Sequence, residues 1–258
     1  MKSLNVLFCV SLKLYYILSH FFLFPSAMST SKPLITDSVV EAARWLQDGQ
    51  LLAYPTESVW GIGCDPFNQQ AVQQLLAIKQ RPLEKGMIVV TDSASRLTAL
   101  LDYLSDEQRQ LVLDSWRNDS NSDADTKQAH TWLLPLAPNL PVAIPAWITG
   151  AHNSVAVRVI DHPLVQQLCQ QMVSVHNPYG FVVSTSCNPS GQPPALTLAE
   201  AQAYFLSHDN SVNSNQKTDA KSLVNMSRNE QVGYLKGETL GYLLPSQISD
   251  ALTGQVIR

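Results

Sequence analysis

From Thr36 onward, short β-branched runs alternate with amphipathic segments bounded by capping residues, prolines and glycines. That alternation restricts the chain to a mixed α/β fold around a twisted, open mixed sheet with flanking helices. Asp37 is placed to cap a helix with Val39, Val40, Ala43 and Leu46 inward, ending at Gly49. Leu51 to Tyr54 reads as a strand that meets Pro55, and Gly61 and Gly63 bracket another short segment. Asn68 caps a second helix with Val72, Leu75, Leu76 and Ile78 inward; it must stop at Pro82, because the residue before a proline avoids the αR region. A strand at Met87 to Thr91 precedes helices near Ser93 to Leu101 and Asp106 to Trp116. Thr131 to Leu134 is a strand, the four prolines between Pro135 and Pro145 favour an extended run, and Ser154 to Ile160 alternates as a strand. His162 and Pro163 open a helix with Leu164, Val165 and Leu168 inward, followed by a strand at Phe181 to Val183 and a helix at Leu198 to Leu206. The tail reads as a strand at Val232 to Leu235, a short helix at Ser246 to Leu252 and a last strand at Gln255 to Ile257.

Two stretches, 117–128 and 207–231, are almost wholly polar and bury too little apolar area to order themselves. They are expected to be mobile insertions within one domain spanning 28–258. The first 27 residues stand apart. Lys2, apolar runs and the Pro25, Ser26, Ala27 sequence resemble a secretory leader, but Lys13 and His20 interrupt the apolar core. The alternative start is Met28, with the preceding residues upstream sequence, and the rest of the chain favours it. Cys9, Cys64, Cys169 and Cys187 form no CxxC pair and no metal-spaced cluster, which argues for a reduced, cytoplasmic protein without a disulfide framework or zinc site. A formal net charge of −4 carries no global signature of a nucleic-acid binder, so any RNA contact must be local, and no membrane association is expected.

Three clusters carry chemistry. Val182 and Val183 deliver Ser184, Thr185, Ser186, Cys187, Asn188, Pro189, Ser190 and Gly191 to one place, a set of hydroxyl and amide groups suited to holding oxygens beyond a strand end. Lys79 and Arg81 join a point charge to a planar fork of donors at a helix end, which suits a polyphosphate; cations there also offset the helix dipole. The turn Tyr54, Pro55, Thr56, Glu57, Ser58 sets a hydroxyl and a carboxylate at a strand end, and Arg158 stands between Val157 and Val159, where it needs a carboxylate or a ligand. No GxxxxGK[ST] loop, GxGxxG fingerprint, HExxH or GxSxG elbow is present.

In order, PTESVWGIG, KQRP with KGM, SVAVRV with DHPLV, and VVSTSCNPSG closely resemble the YrdC/TsaC family of threonylcarbamoyl-AMP synthases, from about Asp37 to Arg258. The resemblance implies a large concave, positively lined cavity and a nucleotidyltransferase that makes L-threonylcarbamoyladenylate and pyrophosphate from L-threonine, bicarbonate and ATP. A separate tRNA-modifying transferase complex then uses the adenylate. It implies Lys79 and Arg81 at the phosphates as charge stabilisers, Thr131, Ser184, Ser186, Asn188 and Arg258 at the nucleotide, and Thr56, Arg158 and Ser246 at the amino acid. Magnesium would enter on ATP, with no organic cofactor and no catalytic nucleophile. Three departures stand out. Lys127, Gln128 and Ala129 replace the family's Pro-Gly-Pro turn, Cys187 replaces an alanine, and the chain ends at Arg258 as in the short, single-domain branch. A non-catalytic module contacting tRNA or double-stranded RNA, and a paralogue acting on another carbamoyl substrate, are the competing readings.

Overall fold

The computed structural model describes residues 34–117, 126–205, 232–244 and 246–258. The leader question, residues 118–125 of the first polar insertion and all of the second therefore lie outside the described residues. Strand β1 (Leu34–Thr36) leads into helix α1 (Val39–Gln47). The cap is Ser38, whose hydroxyl accepts from the Glu41 N–H, rather than Asp37. Starting the helix there puts Ala42, Ala43 and Leu46 inside and leaves Val40 half exposed, since it lies about a quarter turn off the buried stripe.

Strands β2 (Leu51–Pro55) and β3 (Trp60–Gly63) form an antiparallel hairpin, and Asn68 caps α2 (Gln69–Lys79) as expected. The helix ends before the proline because Gln80 takes the left-handed conformation, with φ of 47°. Strand β4 (Ile88–Thr91) follows; a 3₁₀ turn at Ala94–Leu97 runs into α3 (Thr98–Leu101), and α4 (Asp106–Ser115) begins with a capping box between Ser105 and Gln108. Strand β5 (His130–Pro135) is succeeded by a turn at Pro138 and Asn139 instead of an extended proline run. Then come α5 (Ala146–Thr149), β6 (Ser154–Val159), α6 (Pro163–Gln171), β7 (Val182–Val183), β8 (Thr185–Ser186), α7 (Leu198–Phe205), β9 (Val232–Leu235) and β10 (Gln247–Asp250).

The mixed α/β class holds, but the strands form two five-stranded mixed sheets instead of one: β1-β9-β2-β3-β8 and β10-β5-β6-β4-β7. The reason is local to Ser184. Val182 and Val183 pair with β4 in the second sheet, whereas Thr185 and Ser186 pair with β3 in the first. One extended segment thus changes sheets, held by Val183 N–H to the Cys64 carbonyl and Ser184 N–H to the Ile88 carbonyl, both at 2.9 Å. Gly63 permits the crossing, because a Cβ there would lie 1.7 Å from the Val183 carbonyl oxygen.

The tail corrects a second expectation, since residues 247–250 form β10, parallel to β5, and not a helix. So short a segment is a poor helix nucleus, while the open edge of β5 supplies a ready ladder. Past it, Val256 makes a single bridge to Ser249 and not a strand of its own. Strand alternation then divides the interior. Val155 and Val157 of β6, with Trp132, Leu134, Val89 and Val183, enter one apolar cluster; Val90 and Val182 join Leu52, Tyr54 and the inner faces of α1 and α6 in another. Arg158 belongs to this second face, at the apolar cluster's polar margin.

Candidate functional site

The crossing segment gathers the predicted residues. Lys79, at the last turn of α2, donates to the carbonyl of Ser186 at 2.6 Å, the carbonyl of Asn188 at 2.7 Å and Asn188 Oδ1 at 2.9 Å. Helix end and turn, 107 and 109 residues apart in the chain, therefore form one unit. Ser186 Oγ donates to Asn188 Oδ1 at 2.6 Å, and Asn188 Nδ2 donates to the Gln192 carbonyl, so the turn is braced from both sides. All three acceptors of Lys79 are neutral. Burial lowers its ammonium to about 8, with Arg81 pushing the same way and Cys187 opposing. The Cys187 thiol is raised by burial to about 12, which makes it a filler and not a nucleophile at neutral pH.

Arg81 is fixed by its own turn: Nε and Nη2 both donate to the Gly86 carbonyl, at 3.1 and 2.9 Å. Burial depresses the guanidinium, and repulsion from Arg258 depresses it further. Arg258 in turn donates to Ser246 Oγ at 3.3 Å. Ser246 accordingly stands with Arg258 beside Arg81, although the sequence reading assigns it to the amino acid. Two guanidinium groups near enough to repel are a pairing that an anion could relieve.

Thr56 and Ser184 face each other across Gly61. A Cβ at Gly61 would lie 3.1 Å from Thr56 Cγ2 and 3.4 Å from Ser184 Oγ. The Thr56 hydroxyl donates to the Val59 carbonyl at 2.7 Å, which ties the turn after β2. Thr131 is buried with no hydrogen bond on Oγ1, and lies opposite Ile248 of β10. Carried one residue beyond the pairing of Trp132 with Val157, the same antiparallel register sets Thr131 beside Arg158.

Arg158 meets Glu57, with Nη1 at 3.6 Å from Oε2. Sequence reasoning named Glu57 only as the carboxylate of its turn and passed over Asp161 and Tyr242. Glu57 Oε1 accepts the Asp161 N–H at 3.0 Å, its carbonyl accepts the Tyr242 N–H at 3.0 Å, and the Tyr242 hydroxyl donates to Asp161 Oδ2. The usable signal was the arginine itself, since a strand guanidinium flanked by core valines requires a buried acid. Among the described residues no hydrogen bond joins the Thr56 hydroxyl to Arg158; Glu57, next in the chain, is the link.

A pocket of about 750 Å³ opens along α2, lined among others by Gln73, Ala77, Arg81, Trp147 and Ala151. Of the predicted residues it includes Arg81. Among the described residues no group of three or more His, Cys, Asp or Glu side chains could hold a metal ion, and no helix is long and apolar enough to cross a membrane.

The fold that carries these groups is shared with known proteins. The Sua5/YciO/YrdC family model, described as telomere recombination, matches residues 44–236. The chain belongs to this family. A threonylcarbamoyl-AMP synthase of Psychrobacter cryohalolentis is 71% identical over 231 residues, covering 90% of this chain and 100% of the relative. The Acinetobacter baumannii enzyme of the same name is 45% identical, covering 87% of this chain and 100% of its own. Family structures share the fold. P. abyssi Sua5 complexed with L-threonine superimposes with a TM-score of 0.60 at 21% identity, over 85% of this chain and 54% of that one. E. coli YciO gives 0.57 at 16% identity, over 87% and 92%.

Proposed function

We infer that this Sua5/YciO/YrdC chain is a threonylcarbamoyl-AMP synthase, a nucleotidyltransferase acting in tRNA modification. The observation that carries the reading is 71% identity to an enzyme of that name over that enzyme's full length. Its substrates are ATP and L-threonine, and we propose bicarbonate as the third, with L-threonylcarbamoyladenylate and pyrophosphate as products. The threonine amine becomes a carbamate, whose oxygen attacks the α-phosphorus as pyrophosphate leaves. No covalent enzyme intermediate is required, so the protein aligns reactants and neutralises charge.

In this reading the concave site lies between the α2 end and the crossing segment. Lys79 and Arg81 meet the phosphates, and Thr131, Ser184, Ser186, Asn188 and Arg258 hold the nucleotide. Thr56 and Arg158 hold the amino acid; Ser246, bonded to Arg258, serves the nucleotide side as readily. Supporting it, burial and the nearby Arg258 charge both lower the Arg81 guanidinium, which an anion would relieve. A magnesium ion would arrive on the phosphates and keep water ligands, in line with the lack of a carboxylate cluster among the described residues. We place the protein in the cytoplasm, where Cys64, Cys169 and Cys187 would stay as the free thiols they are. The adenylate would pass to a tRNA-modifying transferase complex, and any tRNA or double-stranded RNA contact would be local.

The test is pyrophosphate release from ATP and bicarbonate with threonine, with serine and with no amino acid. Release that depends on threonine is expected. Release without it, or none at all, overturns the reading, and RNA binding without turnover would favour a non-catalytic module.

A further inference from the structure

The least satisfied polar pair in the described fold is Glu57 with Arg158. The glutamate is 1% exposed and the arginine side chain 12%, yet their closest approach is 3.6 Å. Glu57 Oε2 and Arg158 Nε are both buried without a hydrogen bond. Buried polar atoms are nearly always paired, and a buried ion pair is stable only when its remaining sites are filled. An unfilled acceptor beside an unfilled cationic donor is complementary to a ligand bearing both charges on neighbouring atoms. An α-amino acid zwitterion is such a ligand.

We propose that Glu57 takes the ammonium of the amino acid whose carboxylate Arg158 holds in the reading above, and that Glu57 is the base that frees the amine. The role rests on the threonylcarbamoyl-AMP synthase reading. An ammonium has no lone pair and cannot be carbamoylated until it loses a proton. Glu57 Oε2 takes that proton, leaving a neutral amine. The N–C bond then forms on the carbon of bicarbonate as its C–OH bond breaks, and the proton held by Glu57 leaves with the hydroxyl as water. The proton shed by the newly acylated nitrogen passes through Glu57 to solvent. Ammonium and bicarbonate give one carbamate, one water and one proton, with nothing oxidised or reduced.

The surroundings favour this use of Glu57. From β6 it faces Arg158, and from the residues just beyond β6 the Asp161 N–H. From the 236–244 segment it faces Tyr242, whose hydroxyl is bonded to the Asp161 carboxylate and whose ring lies under the Lys127 ammonium, 5.9 Å from the centroid. His162 Nε2 is engaged by the Glu238 carbonyl at 2.8 Å. His162 keeps Nδ1 unpaired, and Asp161 is tied to Tyr242; of the two carboxylates, Glu57 is the one whose buried open oxygen, Oε2, lies beside the Arg158 guanidinium.

The experiment compares the wild type with Glu57→Gln and Glu57→Asp. It measures binding of L-threonine and of 3-hydroxybutyrate, which is threonine without its amine, and threonine-dependent kcat against pH. The wild type is expected to prefer threonine by about tenfold or more, and Glu57→Gln to lose that preference while still binding ATP. At neutral pH the kcat of Glu57→Gln should fall by about 100-fold and recover by about tenfold per pH unit as the free amine accumulates. Loss of a merely structural contact would not produce that recovery. A glutamine variant with the wild-type preference and pH profile overturns the role. Should that variant not fold, Glu57→Asp decides: severalfold lower preference and kcat support the role, and unchanged values overturn it. A wild type that turns over no threonine overturns the functional reading itself, and the role with it.

Discussion

Lys79 and Arg158 are both cations brought to the ends of the same crossing segment, but their surroundings are opposite in kind. Lys79 makes three contacts between 2.6 and 2.9 Å, all to neutral oxygens of a single turn. Arg158 makes one long contact to a buried carboxylate and leaves Nε bare. The first arrangement is geometrically complete and electrostatically open: the turn is built, and the charge remains for an anion to neutralise. The second is electrostatically matched and geometrically open, so a ligand completes the hydrogen bonding. In the proposed reading the first serves the phosphates and the second the amino acid.

The largest expected effect comes from removing either cation. Lys79→Ala should reduce turnover by about 1,000-fold, through lost phosphate contacts and a slackened Ser186–Asn188 turn, with little loss of fold because water reaches the vacated acceptors. Arg158→Ala should instead raise the threonine KM by about 100-fold with ATP binding kept, and destabilise the protein by about 3 kcal/mol, since it strands a buried carboxylate. Steady-state kinetics and thermal unfolding on both variants would break the contrast if the two behaved alike.

A pH titration sharpens it. The Lys79 ammonium is lowered by burial to about 8 from the ordinary 10.5, so between those values the unfolded chain carries a proton the native one lacks. Unliganded stability from this group therefore rises as pH increases through that window, while ATP affinity falls over the same range as the charge disappears. Lys79→Arg, which does not titrate there, should flatten both curves; equal curves in the two proteins would remove Lys79 from the phosphates. The smallest effect is local. Gln80 separates Lys79 from Arg81 in a left-handed turn, and Gln80→Gly should stabilise the protein by about 0.5–1 kcal/mol without changing KM for ATP. A raised KM would mean that the glutamine side chain itself serves the site.

Elements with a strong pattern were legible from the residues alone. Asn68 and the Val72, Leu75, Leu76 stripe marked α2, and Val155, Val157 and Val159 marked β6, because periodic burial is written into the chain. β10 was misread as a helix, since four residues with mixed polarity take whichever ladder a neighbour offers, and that neighbour is β5. The edge strand β1 was missed for the same reason: its partner, β9, lies about 200 residues downstream. The site was legible as a set of motifs and less so as pairings. Lys79 with the STSCN turn followed from their chemistry, but the bond between Ser246 and Arg258 and the approach of Arg158 to Glu57 were not readable from the motifs.

What the sequence by itself determined is the inventory: which segments bury a face, where caps and prolines end them, and which few stretches carry cations, hydroxyls and amides. Only the tertiary structure decided that Ser184 is the point where one strand leaves one sheet for another, with the 1.7 Å approach at Gly63 permitting it. The physical reason is range. Caps and periodicity act within a few residues and survive in any local reading, whereas an ion pair between residues 57 and 158, or a lysine seated on a turn more than 100 residues away, exists only after the intervening chain has packed.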